Sequence, residues 1–503
     1  MTNHPSLKEK TAKGLLWGAM NSTLMQILNA VIGVVLLWFL DPDDYGMIAV
    51  LAIYSAIAAN LQDSGFISAL INKRDATHKD LNAVFWFNIL VSALIYVILW
   101  FCAPLIAAYN KEPQLIALSR YAFLGFFCAS FSITPRTILM KELRVKEQAI
   151  CNIVALIISG AVAIIMAANK MAFWSIATQS IVYVSIVSIG SWYYSRWRPS
   201  LQITFKPIKE MFGFSCKMLI TGIFNNINKF AFESTMGSFY PTKSIGAYSQ
   251  ANKWNQMGSQ TIIGMVQSVA QPMFVQVGDD LERQQRVFRK MLRFTAFVTF
   301  PLMFGLSFVS AEFIETIAPP QWLTAVPFLR VLCIAGAFLP LAALYYNFII
   351  SRGKSDVFMW NTIAQSAIIL ANLFGVQYFH LNWFGYNGIM LMVINYVIII
   401  IAWMFIWHYF VWREIRLKLS SALLDVLPFF LVAILTIVIT YFATSAISTS
   451  YLLLISRILI AAAIYVGILW MLKASILREC IGYISKRNYR SQKTPPSGES
   501  ERS

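Results

Sequence analysis

Charged residues are scarce in this sequence. Asp, Glu, Lys and Arg make up 13% of its 503 residues, and 58% of the chain is hydrophobic, whereas a soluble domain carries about 25% charged residues. Apolar runs of about 20 residues, the length that crosses the hydrocarbon core of a bilayer, follow one another along almost the whole chain. The polar segments between these runs are too short for a separate globular domain. The sequence therefore predicts a polytopic membrane protein and excludes a soluble enzyme held by one anchor.

Residues that commonly build catalytic and metal sites are also few. The chain has four histidines, which are dispersed, and six cysteines without the paired spacing of a metal site or a disulfide framework. It contains neither a GxxxxGK[ST] phosphate-binding loop nor an HExxH zinc motif. The segments predicted outside the membrane are too short to hold a pair of acids for glycosyl transfer. We interpret the chain as a protein that is not an enzyme and needs no cofactor.

Basic residues outnumber acidic ones and are concentrated in alternate loops. The formal net charge is +17, and we predict about fourteen spans, each near the length that crosses a bilayer. Most Lys and Arg residues lie in every second loop and in the tail, the pattern of the positive-inside rule. The charge therefore indicates membrane topology and not a nucleic-acid partner. It predicts a multi-pass protein of the bacterial cytoplasmic (inner) membrane with both termini in the cytoplasm.

The two halves of the chain resemble each other. Gly46 opens the second predicted span and Gly246 opens the eighth, while Trp174 and Trp383 open the sixth and twelfth. Because six spans separate equivalent points, both copies have the same orientation, which predicts parallel repeats related by an axis along the membrane normal. The predicted organisation is listed by residue: an N-lobe at 1–195, a cytoplasmic interfacial linker at 196–209, a C-lobe at 210–411, two added helices at 412–474, and a basic, partly disordered cytoplasmic tail at 475–503.

Polar residues repeat at helical spacing in the first two spans of each half. Because positions i, i+4, i+7 and i+11 share a face of a helix, they form polar stripes on these spans. Such a stripe faces either protein or water. Hydrogen bonding between helices and a water-filled cavity that binds substrate both remain open as explanations. The candidate substrate-binding residues are Gln26, Asn29, Asn226, Lys229, Lys253, Gln256 and Gln260.

Two carboxylates are candidates for ion coupling. Glu233 lies four residues after Lys229, so the two charges either neutralise each other as a static pair or serve substrate and ion binding in turn. Asp63 lies near the inner end of the second predicted span, where a structural role in helix contacts is equally open. Arg330 and Arg457 lie a few turns from the predicted outer ends of their spans and can reach the interface by extending their side chains.

Several segments resemble a known transporter family. They are "DSGFISALINKRD" (Asp63–Asp75), "IGAYSQANKW" (Ile245–Trp254), the passage Phe300–Ile334, and "NFIISRGKSD" (Asn347–Asp356). They are similar to motifs of the polysaccharide-repeat flippases of the multidrug/oligosaccharidyl-lipid/polysaccharide exporter superfamily, of the O-antigen, capsule and teichuronic-acid type. Pro319 stands where that family usually has a glycine before x-x-Trp.

The resemblance implies an all-α polytopic fold of about fourteen helices: two six-helix lobes with pseudo-two-fold symmetry around a central cavity, plus two C-terminal helices. It implies a transporter that flips undecaprenyl-pyrophosphate-linked oligosaccharide by alternating access, for O-antigen, capsule or exopolysaccharide biosynthesis. H⁺ or Na⁺ would be the coupling ion, and lipid-linked glycan, membrane lipids and other polysaccharide assembly proteins would be the partners. The alternative is an ion-coupled multidrug or small-molecule exporter of the same superfamily, which usually has twelve spans and core carboxylates in the N-lobe.

The loop charges give a topology that labelling can test. In a cysteine-free background, single cysteines at Asp43, Thr242 or Asn382 should react with a membrane-impermeant thiol reagent added outside intact cells. Cysteines at Lys146 or Arg286 should react only after the membrane is permeabilised, because basic loops stay in the cytoplasm. The reverse labelling pattern would show that the orientation is wrong.

Overall fold

The computed structural model describes residues 24–476 except 64–69, 71–76, 143, 202–207, 210–235, 238, 278–279, 353, 380–387, 446, 448 and 475. All regular structure in these residues is helical. The first helices are α1 (Leu24–Leu37), α2 (Pro42–Asp63), α3 (His78–Asn110), α4 (Leu115–Lys141), α5 (Val145–Ala168), α6 (Phe173–Ser195) and α7 (Thr242–Val277). They are followed by α8 (Leu281–Phe308), α9 (Ser310–Ile317), a 3₁₀ turn (Pro320–Ala325), α10 (Val326–Ser351), α11 (Ser355–Tyr378), α12 (Gly388–Ile415), α13 (Leu419–Ala443) and α14 (Ser450–Met471).

The all-α membrane class is confirmed. Ten helices among the described residues are long and apolar enough to cross a membrane, from α3 to α6, α8, and from α10 to α14. The second and eighth predicted spans are the helices α2 and α7, which carry more polar residues. The first is represented by the shorter apolar helix α1, and the seventh, at 210–236, lies almost entirely outside the described residues.

Several hydroxyl side chains inside the spans are satisfied within their own helices. Ser119 donates to the carbonyl of Leu115 at 2.5 Å, and Thr137 donates to that of Ile133 at 2.8 Å. Thr440 makes the same bond one turn back on α13. A hydroxyl bonded to the carbonyl four residues earlier needs no partner on another helix. These polar residues therefore sit in membrane helices without marking a site.

By contacts the chain divides into two compact units. Unit 1 consists of residues 1–253, 317–328 and 359–393, and unit 2 of residues 254–316, 329–358 and 394–503. The helix α7 contributes residues to both. The division into an N-lobe and a C-lobe stays a prediction.

In unit 1, the chain after α6 is fixed against the start of α3. The capping box of Thr77 and Asp80 begins α3. One turn on, the Asn82 side chain accepts a hydrogen bond from the Ser200 backbone N–H at 2.9 Å, and the Trp86 indole donates to the Ser200 carbonyl at 2.8 Å. The first residues of the predicted linker are thus held to the helix ends.

The beginnings of α2 and α7 cross within unit 1 at two glycines. A Cβ added to Gly46 would overlap the Thr242 carbonyl, and one added to Gly246 would overlap the Pro42 carbonyl. Positions 42 and 242, like 46 and 246, are 200 residues apart in the sequence. Such a reciprocal contact, in which i meets j and j meets i, is what a two-fold axis between related segments produces. The repeat expected from the sequence therefore has a structural counterpart here.

The 3₁₀ turn (Pro320–Ala325) also contacts the chain between α1 and α2. The Trp322 indole donates to the Leu37 carbonyl at 3.0 Å, and its ring meets the edge of Tyr45 at 5.1 Å between centroids. Trp322 is only 1% exposed, and Gln321 donates to the Asp41 carboxylate at 3.1 Å. The tryptophan of the family's x-x-Trp pattern is thus a buried structural anchor.

In unit 2, ion pairs join the charged ends of helices. Arg289 on α8 donates to both carboxylate oxygens of Asp425 on α13, at 2.6 and 3.1 Å, and Arg293 lies 3.5 Å from the same carboxylate. Glu414 at the end of α12 pairs with Lys354 and Arg352. Since Asp425 is 5% exposed, its bidentate pair with Arg289 fixes α13 against α8.

The glycine crossing can be tested by adding a methyl group. Gly246→Ala and Gly46→Ala should each lower the melting temperature of the purified protein, because the methyl meets a backbone carbonyl; overpacking of this kind costs about 1–3 kcal/mol. The matched control is Gly264→Ala on α7, where nothing lies within 4 Å of the added carbon. That variant should melt at or slightly above the normal temperature. Equal behaviour of the three variants would contradict the crossing.

Candidate functional site

Unit 1 contains a polar cavity of about 530 Å³. It lies among α1, the start of α2, α5, α6 and the first turns of α7, and its apolar walls include Ile32, Leu36 and Leu156. Its polar groups are two amides, four hydroxyl-bearing residues of α2, α5 and α6, and one ammonium group: Asn29, Tyr45, Ser159, Gln179, Ser180, Tyr183 and Lys253. A cavity of this size falls within the range of small-ligand sites.

Lys253 gives the cavity its charge. The side chain is exposed to the cavity, and a Cβ added to Gly33 would lie 3.3 Å from its Nζ atom. Among the described residues the ammonium has no hydrogen-bond or ion-pair partner. A charge in a membrane helix costs about 2.5–3.5 kcal/mol on insertion scales, so the charged form of Lys253 requires water, an anion or a group outside the described residues beside it.

The helix α1 presents one continuous face to the cavity. Met25, Asn29, Ile32, Gly33 and Leu36 line it, and their spacing places all five on the same side of a helix. The Asn29 amide donates to the Met25 carbonyl at 2.9 Å, which leaves its own oxygen free to accept from a ligand. Because Gly33 has no side chain, the end of the Lys253 side chain can lie close to the backbone of α1 at this position.

The helix α6 supplies the other amide and two hydroxyls. Gln179, Ser180 and Tyr183 follow at i, i+1 and i+4 and line the cavity together. Ser180 donates to the Ile176 carbonyl at 3.3 Å, so its oxygen can still accept. Gln179 and Tyr183 bring both donor and acceptor atoms. This face can therefore bind a ligand that carries several hydroxyl groups.

A second cavity of about 380 Å³ lies beside the first in unit 1. Ser180 and Val184 line both cavities, so α6 forms a shared wall. The second is mostly apolar, and the Gln62 amide in it donates to the Phe126 carbonyl at 2.6 Å. The polar groups suited to ligand binding are therefore concentrated around Lys253.

The polar groups of this cavity suit ligand binding. An ammonium pairs with phosphate or carboxylate, while amides and hydroxyls bond the hydroxyls of a sugar. No group of three or more His, Cys, Asp or Glu side chains within the part of the chain that the structure describes could hold a metal ion. The described cavity thus fits a ligand that combines an anionic group with polyhydroxylated parts.

The structure brings together only some of the residues predicted from the sequence. Asn29 and Lys253 both line the cavity, whereas Gln26 is exposed elsewhere on α1. Gln256 and Gln260 follow Lys253 on α7 but belong to unit 2 and do not line it. Asp63 is the last residue of α2, and its side chain is not described. The predicted Asn226, Lys229 and Glu233 lie outside the described residues, so their roles stay predictions.

Sequence reasoning missed the contribution of α5 and α6. Ser159 on α5 and the group of Gln179, Ser180 and Tyr183 on α6 line the cavity, but the predicted stripes included none of them. Gln179 and Tyr183 are four residues apart, and this spacing on an apolar helix was the signal available. The series includes Ser175 one turn earlier but ends at Tyr183, because Ile186 and Val187 follow at i+3 and i+4, so it was shorter than the predicted stripes.

Comparisons with known proteins place the chain among polysaccharide biosynthesis proteins. A sequence profile described as "Polysaccharide biosynthesis protein" matches residues 35–327, more than half of the chain. The teichuronic acid biosynthesis protein TuaB of Bacillus subtilis is 25% identical over 438 residues, which are 86% of this chain and 89% of TuaB. The succinoglycan biosynthesis transport protein ExoT of Rhizobium meliloti is 22% identical over 71% of this chain and 72% of ExoT.

Solved structures show the same fold. The lipid II flippase MurJ in an inward closed conformation superposes with a TM-score of 0.73 and 15% sequence identity, covering 93% of this chain and all of MurJ. At this identity the likeness concerns the fold alone. It confirms the transporter fold expected for the exporter superfamily.

Labelling can test whether water fills the cavity at Lys253. In a cysteine-free chain, Lys253→Cys should react with a small water-soluble thiol reagent, because the side chain faces the cavity. The matched control is Ala251→Cys, two residues earlier on α7, where the side chain is fully buried. It should stay unlabelled until the protein is denatured. Failure of Lys253→Cys to react in the folded protein would rule out a hydrated cavity.

Proposed function

Because this chain belongs to the polysaccharide biosynthesis protein family, we propose that it flips lipid-linked oligosaccharide repeat units across the bacterial cytoplasmic membrane. The substrate class is an undecaprenyl-pyrophosphate-linked glycan for O-antigen, capsule or exopolysaccharide assembly. The fold, the relative whose name describes it as a transport protein, and the chemistry of the cavity in unit 1 support this proposal. The protein acts as a transporter and not as an enzyme.

The ammonium of Lys253, which has no partner among the described residues, carries the proposal. It stands in a cavity whose other polar groups are amides and hydroxyls, so the cavity offers one cationic contact and several hydrogen-bonding contacts. A glycan attached to a pyrophosphate presents both kinds of partner. In the proposed cycle Lys253 binds the pyrophosphate or an acidic sugar, and Asn29 and Gln179 bond sugar hydroxyls.

The proposed cycle is alternating access driven by an ion gradient. Glu233 and Asp63 are the candidate groups that exchange H⁺ or Na⁺, and Lys229 is a second candidate cation for the anionic part of the substrate. The loop charges support an orientation with both termini in the cytoplasm. Substrate would then enter from the cytoplasmic leaflet, and other polysaccharide assembly proteins would take it up on the outer side.

Loss of the protein tests the proposal in cells. A strain lacking it should stop making the surface polysaccharide, while lipid-linked repeat units accumulate and remain inaccessible to an impermeant sugar-oxidising reagent. Mass spectrometry of extracted lipids measures the accumulation. Absence of repeat units would place the defect before flipping and contradict the proposal. A change in drug sensitivity with normal polysaccharide would favour the small-molecule exporter.

Variants of Lys253 test the site in the same strain. Lys253→Met should reach the membrane at normal levels yet reduce export about tenfold or more, because a charge-assisted bond contributes about 1.5–3 kcal/mol. Lys253→Arg should keep part of the activity, since charge remains while geometry changes. The matched control is Lys243→Met in the exposed first turn of α7, which should export normally.

The pair Lys229 and Glu233 enters the same assay. If the two charges only neutralise each other, the double variant Lys229→Met, Glu233→Met should fold and export normally, because a buried pair roughly breaks even with apolar residues. If Lys229 binds substrate, the double variant should be present in the membrane but inactive. Normal export by the double variant would remove both residues from the proposed site.

A further inference from the structure

Unit 2 contains a separate pocket of about 680 Å³ among α8, α9, α10, α13 and α14. Most of its lining is apolar, including Phe304, Phe430, Ile434 and Ile437. Ile434 and Val438 line it and are 40% and 45% exposed. The pocket therefore opens on an apolar surface of membrane-spanning helices, where the neighbouring molecules are lipids.

One end of the pocket is charged. Arg457 on α14 is buried and pairs with Glu312 on α9 through Nη1 and Oε1. Its Nε atom donates to the Thr444 hydroxyl at 3.3 Å, and its guanidinium lies 4.5 Å from the centroid of the Phe308 ring. These contacts fix Arg457 and leave the pair with no net charge.

Two groups at this end have unused hydrogen-bonding capacity. Glu312 Oε2 is buried and accepts no hydrogen bond from the described residues. Arg330 on α10 uses Nε to donate to the Ser310 hydroxyl at 3.2 Å, but its two terminal nitrogens have no partner among the described residues. The pocket therefore presents a guanidinium fork and a carboxylate oxygen beside apolar walls.

The balance of charge limits which headgroups fit the pocket. Two arginines and one glutamate leave one excess positive charge, which a single phosphodiester neutralises. The free carboxylate oxygen requires a donor, which a headgroup hydroxyl provides without adding charge. A zwitterionic phospholipid would leave the positive charge uncompensated, and a pyrophosphate would bring more negative charge than the pocket balances.

We propose that this pocket binds an anionic glycerophospholipid of the phosphatidylglycerol class. The phosphate accepts hydrogen bonds from the terminal nitrogens of Arg330, and a glycerol hydroxyl donates to Glu312 Oε2. One acyl chain lies along the apolar walls formed by α8, α10 and α13. Lipid bound here holds α10 and α14 together. It does so where Arg330 and Glu312 have hydrogen-bonding atoms without a partner among the described residues.

Native mass spectrometry of the full-length protein in detergent tests the binding. The protein is titrated with phosphatidylglycerol or with phosphatidylcholine of identical acyl chains. Phosphatidylglycerol should bind about tenfold more tightly, because only its headgroup offers a hydroxyl for a charge-assisted bond to Glu312 Oε2 and brings no cation to the positively charged pocket. Equal binding of the two lipids would overturn the proposal.

Three variants locate the bound lipid. Arg330→Gln should lose the roughly tenfold preference for phosphatidylglycerol. The matched control is Arg120→Gln. Like Arg330, Arg120 lies near the start of an apolar helix, and it stacks 4.5 Å from the Trp100 ring centroid. Unlike Arg330, it lines none of the three described pockets. It should keep the preference. Val438→Trp leaves every charge in place but fills the apolar part, and should weaken binding of phosphatidylglycerol.

Two results would overturn the assignment. One is an identical lipid preference in the Arg330→Gln and Arg120→Gln variants, both folded by their melting temperatures. The other is displacement of phosphatidylglycerol by undecaprenyl phosphate at a lower concentration, in a manner that depends on Arg330, which would give the pocket to the glycan carrier. Export of polysaccharide is not a readout here, so failure of this proposal leaves the proposed transport function unaffected.

Discussion

The hydrocarbon core of a bilayer offers no hydrogen bonds, and this constraint explains where many of the polar groups in the described part of the chain lie. Backbone groups are satisfied by helices, as they must be in hydrocarbon. Hydroxyls such as those of Thr137 and Thr440 bond the previous turn. Three settings recur among the charges of the described residues: paired at helix ends, as in Arg289 with Asp425, facing a polar cavity, or beside a pocket that opens toward lipid.

Lys253 and Arg330 show how one constraint leads to two different sites. Both are cations on membrane helices, and neither is neutralised by a carboxylate among the described residues. Lys253 lies among amides and hydroxyls, surroundings that suit a hydrated, polyhydroxylated ligand. Arg330 lies among aromatic and branched aliphatic side chains with one paired carboxylate nearby, surroundings that suit an amphiphile. The neighbours of a charge, more than the charge itself, determine which ligand it selects.

The sequence was sufficient to predict the apolar helices and one face of the cavity. Length and hydropathy predicted the apolar spans, and helical spacing placed Asn29 on the face of α1 that lines the cavity. Spacing does not tell which helices become neighbours, so the meeting of that face with Gln179 and Tyr183 could not be predicted. The pairing of Arg289 with Asp425, 136 residues apart, was beyond reach for the same reason.

The crossing of α2 and α7 has a consequence for how such a chain can diverge. At Gly46 and Gly246 each half of the repeat meets the main chain of the other, and a carbonyl oxygen is present whatever residue carries it. No change of side chain in the partner segment can therefore make room for a methyl group. A methyl group at either glycine would therefore require the backbone of the crossing itself to shift, so each segment limits which residue the other can carry at this point.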